Sequence, residues 1–173
     1  MFAGLTPGKR GTVTGHRREE EVQMSVTLER VDGDVVDVLL AQHDQIKRAM
    51  ARVPALQGAE KAEAFALVTE LLERHERGEQ QVVHPATRDD VESGGRIAGD
   101  RLTEEANADM VMAEMAEMDV DDPMFDVQFT EFRNAVLAHA EREEMEEFPR
   151  LRADIPAEEL AKMADDLVEA ENM

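Results

Sequence analysis

The sequence predicts an all-α protein, built as an up-down-up-down four-helix bundle with a short extra C-terminal helix. Apolar residues recur at steps of three and four, which is the period of an α-helix. Residues that favour helices, such as Ala, Glu, Leu, Met and Arg, dominate the composition. Four amphipathic segments of roughly 18–25 residues with short links between them are typical of such bundles.

The first two helices are expected at about residues 34–50 and 59–83. Asp34 is a suitable N-cap for the first helix, and Pro54 closes it. Pro85 is expected to end or kink the second helix, because proline lacks a backbone N–H. The core-facing stripes of these two helices are Val36, Leu39, Leu40, His43, Ile46 and Met50, then Phe65, Val68, Leu72, His75, Glu79 and Val82.

The third and fourth helices are expected at about residues 100–118 and 124–147, after a loop that contains Ser93, Gly94 and Gly95. Pro149 stops the fourth helix, and a final helix covers about residues 157–170. The stripes are Glu105, Ala108, Met112 and Met115 in the third helix, Phe125, Phe129, Phe132, Val136 and His139 in the fourth, and Leu160, Met163 and Leu167 in the last.

The chain divides into three predicted parts. Residues 1–32 are expected to form a flexible tail, because glycines and Pro7 interrupt any helical pattern there. Residues 33–152 form the bundle, and residues 153–173 form a helical extension.

The 173 residues include 19 Lys and Arg and 40 Asp and Glu, so the net charge is −21.

This charge and composition exclude several classes of function. A chain this acidic does not attract nucleic acid or anionic lipid through a general field. Cysteine is absent, which excludes disulfides, thiolate metal sites and cysteine nucleophiles. No apolar run approaches the ~20 residues that a membrane-spanning helix needs. A cytoplasmic location is therefore expected, with no membrane and no nucleic-acid partner.

Titratable residues interrupt the apolar stripes. His43, His75 and His139 face the predicted core, and Glu79 lies one turn after His75 on the same face, whereas Glu76 is expected to lie off it. Burying such groups without partners costs several kcal/mol for each charge. A bound metal removes this cost, and nitrogen and carboxylate donors without thiolate suit iron, manganese or zinc.

Three positions leave alternatives open. Either Glu143 or Glu144 can share the face of His139, because they follow it by four and five residues. Glu105 is in line with the inward face of the third helix. His84 is either a residue that interacts with a helix C-terminus or a metal ligand.

Several motifs together resemble the hemerythrin-like HHE cation-binding family, most closely its actinobacterial members. The resemblance covers about residues 34–152, and the order of the histidine motifs over three helices carries it. The motifs are Gln42-His43-Asp44, His75-Glu76-Arg77-Gly78-Glu79, Val82-Val83-His84-Pro85, and His139-Ala140-Glu141-Arg142-Glu143-Glu144 ahead of Phe148-Pro149.

The resemblance implies two non-haem iron ions, bridged by carboxylates and an oxo or hydroxo group. It assigns as ligands His43, His75, the bridging Glu79, His139 and the bridging Glu144. The third helix departs from the His-x-x-x-His pattern of oxygen carriers, and offers Glu105 and Asp109 at the same spacing. The resemblance also suggests His84 as a compensating ligand.

The function implied is the handling of peroxide, in a catalase-like reaction linked to oxidative stress, or the sensing of oxygen, peroxide or nitric oxide. One alternative is a non-catalytic module that binds iron or oxygen. Another is a metal-free helical protein that interacts with a partner, in which the histidines are ordinary core or surface residues.

Overall fold

The structure is a computed structural model that describes residues 26–173, and all regular structure within that range is helical. The predictions for residues 1–25 lie outside the described residues. The α-helices are α1 (Val35–Arg52), α2 (Gly58–Gly78), α3 (His84–Asp90), α4 (Gly94–Ala116), α5 (Pro123–Arg142), α6 (Phe148–Asp154) and α7 (Ala157–Glu171), with a short 3₁₀ turn at Val53–Ala55.

Two of these helices continue across a π-helical segment. Glu79–Val83 joins α2 to α3, and Glu143–Glu147 joins α5 to α6. Each segment lies just before a proline, Pro85 or Pro149, at the second position of the next helix. A wider turn accommodates the missing N–H and the ring, so the proline does not end the helix.

The helices enclose two apolar clusters with polar side chains between them. α1 packs against α2 and α7, α3 packs against α4, and α4 packs against α5. Along α1, Val35 to Leu39 belong to one cluster and Ile46 to Met50 to the other. His43 lies between them and is buried. The region between the two cores is therefore where the inward-facing histidines and glutamates meet.

The third long helix begins earlier than the sequence indicated. α4 begins at Gly94 rather than near residue 100, directly after Ser93, whose φ of 61° is left-handed. A Cβ added to Gly94 would lie 1.7 Å from the Thr87 carbonyl oxygen. Glycine at this position therefore permits α3 and α4 to approach closely, whereas the sequence pattern suggests only a loop.

The two ends of the described chain also pack on the bundle. α7 contacts α1 and α2, and its Leu160, Met163 and Leu167 are buried as predicted. Residues 26–32 are not helical, and Leu28 is buried in the apolar core. None of the helices within residues 26–173 has the length and apolar character needed to cross a bilayer.

Candidate metal centre

Buried histidines and glutamates form two overlapping groups between the apolar cores. In each group, one potential ligand atom per residue lies within 4.8 Å of the others. Glu79 and Glu143 belong to both groups, so each carboxylate is placed to bridge them. The first group is His43, His75, Glu79 and Glu143, and the second is Glu79, His84, Glu105 and Glu143.

Helical spacing brings the members of the first group together. Glu79 follows His75 by one turn, and its Oε2 lies 3.3 Å from His75 Nε2. Glu143 follows His139 by one turn, and its Oε1 lies 3.0 Å from His139 Nε2. The other oxygen of Glu143 lies 3.3 Å from His43 Nε2. His139 thus lies beside the first group, in contact with a residue that both groups share.

The second group surrounds His84, which directly follows the π segment after α2 and is buried in the core. Its Nε2 lies 2.5 Å from Glu105 Oε1, and its Nδ1 lies 3.2 Å from Glu147 Oε1. The Thr87 hydroxyl donates to Glu147, and the Gln80 amide donates to Glu105. Both nitrogens of His84 therefore face carboxylates.

Many polar atoms at the centre of these groups have no hydrogen-bond partner. A buried polar atom without a partner costs about 1–3 kcal/mol, and more when it is charged. Ligation of a cation would satisfy these atoms together, so the residues fit a metal centre. The unpartnered atoms are both carboxylate oxygens of Glu79, both of Glu143, Oε2 of Glu147, and Nε2 of His43 and of His139.

Three histidines are each oriented by a partner on the far side of the ring. The Nδ1 atoms of His43, His75 and His139 lie 2.9 Å from oxygens of Glu144, Gln42 and Glu104, respectively. Such a contact places the proton on Nδ1 and leaves Nε2 free to bind a metal. In all three rings Nε2 is the atom that faces the central glutamates.

In the absence of a cation, the two shared carboxylates titrate in opposite directions. Burial, followed by the charges of Glu143 and Glu105, raises the pKa of Glu79 well above its usual value. Burial also raises the pKa of Glu143, but His139 and His43 outweigh it, so this pKa is lowered. A bound cation would allow both carboxylates to be ionised.

The same surroundings shift the pKa values of the buried histidines. Burial, and then the charge of His43, lowers the pKa of His75 well below its usual value. Burial also lowers the pKa of His84, but Glu105 and Glu147 raise it to about 10. Contacts with two carboxylates therefore dominate at His84, whereas burial dominates at His75.

The structure brings together five of the residues that the sequence predicts as ligands. His43, His75, Glu79, His84 and Glu105 all lie in the two groups. Of the two acidic residues on the third helix, Glu105 is buried and Asp109 is exposed.

Glu144, which the resemblance implies as a bridge, lies outside both groups, whereas Glu143 belongs to both. α5 remains α-helical through Arg142, so the residue one turn after His139 is Glu143. The Glu144 carboxylate instead lies 2.9 Å from both His43 Nδ1 and Lys47 Nζ.

Two other glutamates, Glu147 and Glu76, are buried although the sequence pattern did not predict it. Glu147 is fully buried, and its one signal is its position four residues after Glu143 and directly before Phe148-Pro149. Glu76 is buried rather than off the inward face. Burial, and then the charge of Asp109, raises the pKa of Glu76 to about 10, so its carboxyl group holds a proton at neutral pH.

The chain was compared with known protein families and structures. The family model described as the hemerythrin HHE cation-binding domain matches residues 34–151. The chain belongs to this family. No curated protein and no solved structure matches it.

Family membership agrees with the helical architecture and with the buried histidine and glutamate groups. The hemerythrin family binds cations, iron among them, and small ligands such as oxygen. The matched segment ends at residue 151, so α7 lies outside it.

Proposed function

We propose that this protein is a hemerythrin-like non-haem di-iron protein that handles peroxide or senses oxygen, peroxide or nitric oxide. The observation that carries the proposal is the sharing of Glu79 and Glu143 by two ligand groups. Two carboxylates common to two sites are the arrangement that a pair of bridged metal ions requires. Helical bundles build di-iron centres from inward residues on facing helices.

The donor set supports iron. Imidazole nitrogen and carboxylate oxygen suit iron, manganese and zinc, and no cysteine is present to favour softer sites. We assign His43 and His75 to one iron and His84 and Glu105 to the other, with Glu79 and Glu143 as bridges. His139 and Glu147 are in reach of these ligands and complete the proposed set. An oxo or hydroxo bridge between the irons is part of the proposal.

The surrounding residues supply orientation and protons. When bound, the iron pair would supply Lewis acidity and redox equivalents. Gln42 and Glu104 hold the imidazoles of His75 and His139 with Nε2 inward. Glu76 holds a proton on its carboxyl group next to His75.

The sequence is also compatible with two other functions. The non-catalytic iron or oxygen module has the same centre and differs only in having no turnover. The metal-free interaction protein is disfavoured, because it leaves seven inward oxygen and nitrogen atoms of Glu79, Glu143, Glu147, His43 and His139 buried without a hydrogen bond. A cytoplasmic location remains a prediction.

Metal analysis and spectroscopy test the proposal. We expect about two irons per chain after aerobic reconstitution, with near-ultraviolet bands from the iron pair. The chain has no Tyr and no Trp, so its own absorption there is low. Oxygen release from added hydrogen peroxide would favour catalase-like turnover over simple binding. An iron-free protein after reconstitution would contradict the proposal.

A further inference from the structure

A cavity of about 510 Å³ lies beside the candidate metal centre. Four helices, α1, α2, α4 and α5, contribute to its walls. At its buried end it is lined by His43, His75 and Glu105, and His139 also faces it. Met124 and Val127, which are more than half exposed, line it at the surface. The cavity thus connects the centre with solvent.

The cavity is much larger than the small ligands in the proposed function require. A single water occupies ~30 Å³ in the liquid, and peroxide and dioxygen are of similar size. Sites for organic molecules have volumes of about 300–1,000 Å³. The volume therefore fits an organic molecule with space for a reacting group next to the centre.

Apolar side chains form most of the cavity wall. A wall of this kind stabilises a ligand by removing apolar surface from water, and it offers no hydrogen bonds to a polar chain. A ligand that reaches from the mouth to the centre must therefore be apolar along most of its length. The wall residues are Ile46, Met50, Leu72, Val111, Phe132 and Val136.

The charges around the cavity argue against an anionic ligand. Two cationic side chains line it, and each is paired: Lys47 with Glu144 at 2.9 Å and Arg142 with Glu104 at 2.8 Å. Glu131 is exposed on the same wall. With a chain charge of −21, the surroundings repel a carboxylate or phosphate group.

We propose that this cavity binds a neutral apolar organic molecule that bears one terminal hydroxyl or hydroperoxyl group, with that group at the buried end. Among the buried lining residues, His43, His75, Glu76 and Glu105 have polar atoms that can contact that group. The inference rests on the proposed function, because it makes the peroxide handled there an organic one. It assigns a ligand class to a cavity that peroxide alone would leave mostly empty.

Calorimetric titration with cumyl alcohol tests the inference. This neutral molecule has a phenyl-alkyl body and one hydroxyl group, and it does not react with peroxide-handling centres. We expect saturable binding of one molecule per chain with a negative heat-capacity change, which marks burial of apolar surface. The anion 2-phenylpropionate should bind about tenfold more weakly or worse. An absence of saturable binding, or equally tight binding of the anion, would overturn the inference.

Substitutions in the cavity wall test where cumyl alcohol binds. Ala108 is half-buried in the cavity wall on α4, so Ala108→Phe should weaken binding about tenfold or more by filling the space. Ala106→Phe is the matched control, because Ala106 is exposed on the same helix and does not line the cavity. Ala135→Trp narrows the cavity from an exposed position that leaves the core intact. Folded variants of Ala108 and Ala135 that bind as tightly as the parent protein would also overturn the inference.

The titrations are performed at measured iron content, and again after chelation. Because the apolar wall exists without metal, cumyl alcohol should bind in both states. Binding without any iron uptake would contradict the proposed function alone. Two irons per chain without cumyl alcohol binding would contradict the cavity inference alone.

Discussion

The Gln42 side-chain amide donates to the Glu171 carboxylate at 2.8 Å, although the two residues lie 129 positions apart in the sequence. The carbonyl oxygen of the same amide accepts from His75 Nδ1 at 2.9 Å. Both Gln42 and Glu171 are buried. The last residue of α7 therefore fixes which way the amide faces, and the amide fixes the ring of a proposed iron ligand.

Removing the Glu171 carboxylate should weaken iron binding without emptying the centre. Partners behind ligating histidines contribute about 10–100-fold in metal affinity. We expect Glu171→Leu to lose iron to a competing chelator about tenfold more readily, because the Gln42 amide is no longer held. Glu171→Gln retains an acceptor oxygen and should behave like the parent protein. Equal iron retention in both variants would contradict this orienting role.

A comparison of Glu143→Ala with Glu144→Ala should identify the bridging carboxylate. Glu143 lies in both ligand groups, so its removal should reduce the iron content to about one per chain or less. Glu144 contacts His43 and Lys47 from outside, so its removal should leave two irons that exchange faster. Elemental analysis and the near-ultraviolet spectrum distinguish the two results. If Glu144→Ala lost an iron and Glu143→Ala kept both, Glu144 would be the bridging carboxylate.

Glu79→Ala should remove at least one iron and abolish the absorption of the bridged pair. Ala is a good helix former, so the fold should survive. Glu73→Ala is the matched control, because Glu73 lies on the same helix and is exposed. Glu76→Ala cannot serve as the control, because Glu76 is buried beside the centre. If Glu79→Ala keeps both irons and the spectrum of the control, its bridging role is wrong.

In metal-free protein, Glu79→Ala should leave the stability of the fold unchanged or raise it. The folded-state pKa of Glu79 lies above its unfolded value, so its contribution to stability falls as pH rises. Metal-free Glu79→Ala should therefore melt no lower than the metal-free parent, and its advantage should grow between about pH 5 and about pH 8. Melting curves of chelated samples measure this. A lower melting temperature throughout this range would show that Glu79 stabilises the empty centre.

Asp34 should stabilise the start of α1 in two ways. Its carboxylate accepts from the backbone of Val36 and Asp37, and it pairs with Arg152 of α6 at 2.8 Å. Asp34→Ala should cost about 1–2 kcal/mol of unfolding free energy. Asp34→Asn keeps the cap and should cost less than about 1 kcal/mol, since only the partly exposed ion pair is lost.

The effect of Asp34 should also depend on pH. Burial raises its pKa, but Arg152 and the backbone of Asp37 outweigh burial and lower it. The stabilisation is thus present above the unfolded pKa of about 3.9 and is lost as pH falls through the folded value. Denaturant titrations of Asp34→Asn at neutral and acidic pH measure the loss. A difference from the parent that stays constant with pH would exclude the ion pair as its source.

Much of the architecture follows from hydrophobic periodicity. The stripes of α1 and α5, with Leu39, Ile46, Phe125 and Phe129, are buried as predicted. Periodicity also predicts that His43 faces inward, because it lies on such a stripe. Leu40 is partly exposed, since it lies at the edge of its stripe. The early start of α4 was missed because Gly94 and Gly95 normally indicate a loop, and only the contact with Thr87 explains them.

The clustering of the candidate ligands was predictable where they lie one α-helical turn apart and obscure where they do not. His75 and Glu79 share a face by spacing alone. The sequence spacing also allowed Glu143, but motif resemblance favoured its neighbour. Glu147 and His84 depend on π segments, whose extra width no sequence period reveals. Glu171 lies on another helix, so only tertiary packing shows its link to His75.

The two π segments make the centre sensitive to chain length. Each holds an additional residue relative to an α-helical turn, and that extra width accommodates the proline that follows. A single-residue deletion at Gln80–Val83 would leave an α-helical turn, in which the Pro85 ring meets the preceding carbonyl and kinks the helix that carries His84, although every side chain of the centre would still be present. The same holds between His139 and Glu147. Substitutions in these stretches are therefore more readily accommodated than insertions or deletions, and the residue count there is as much a part of the metal site as the ligands themselves.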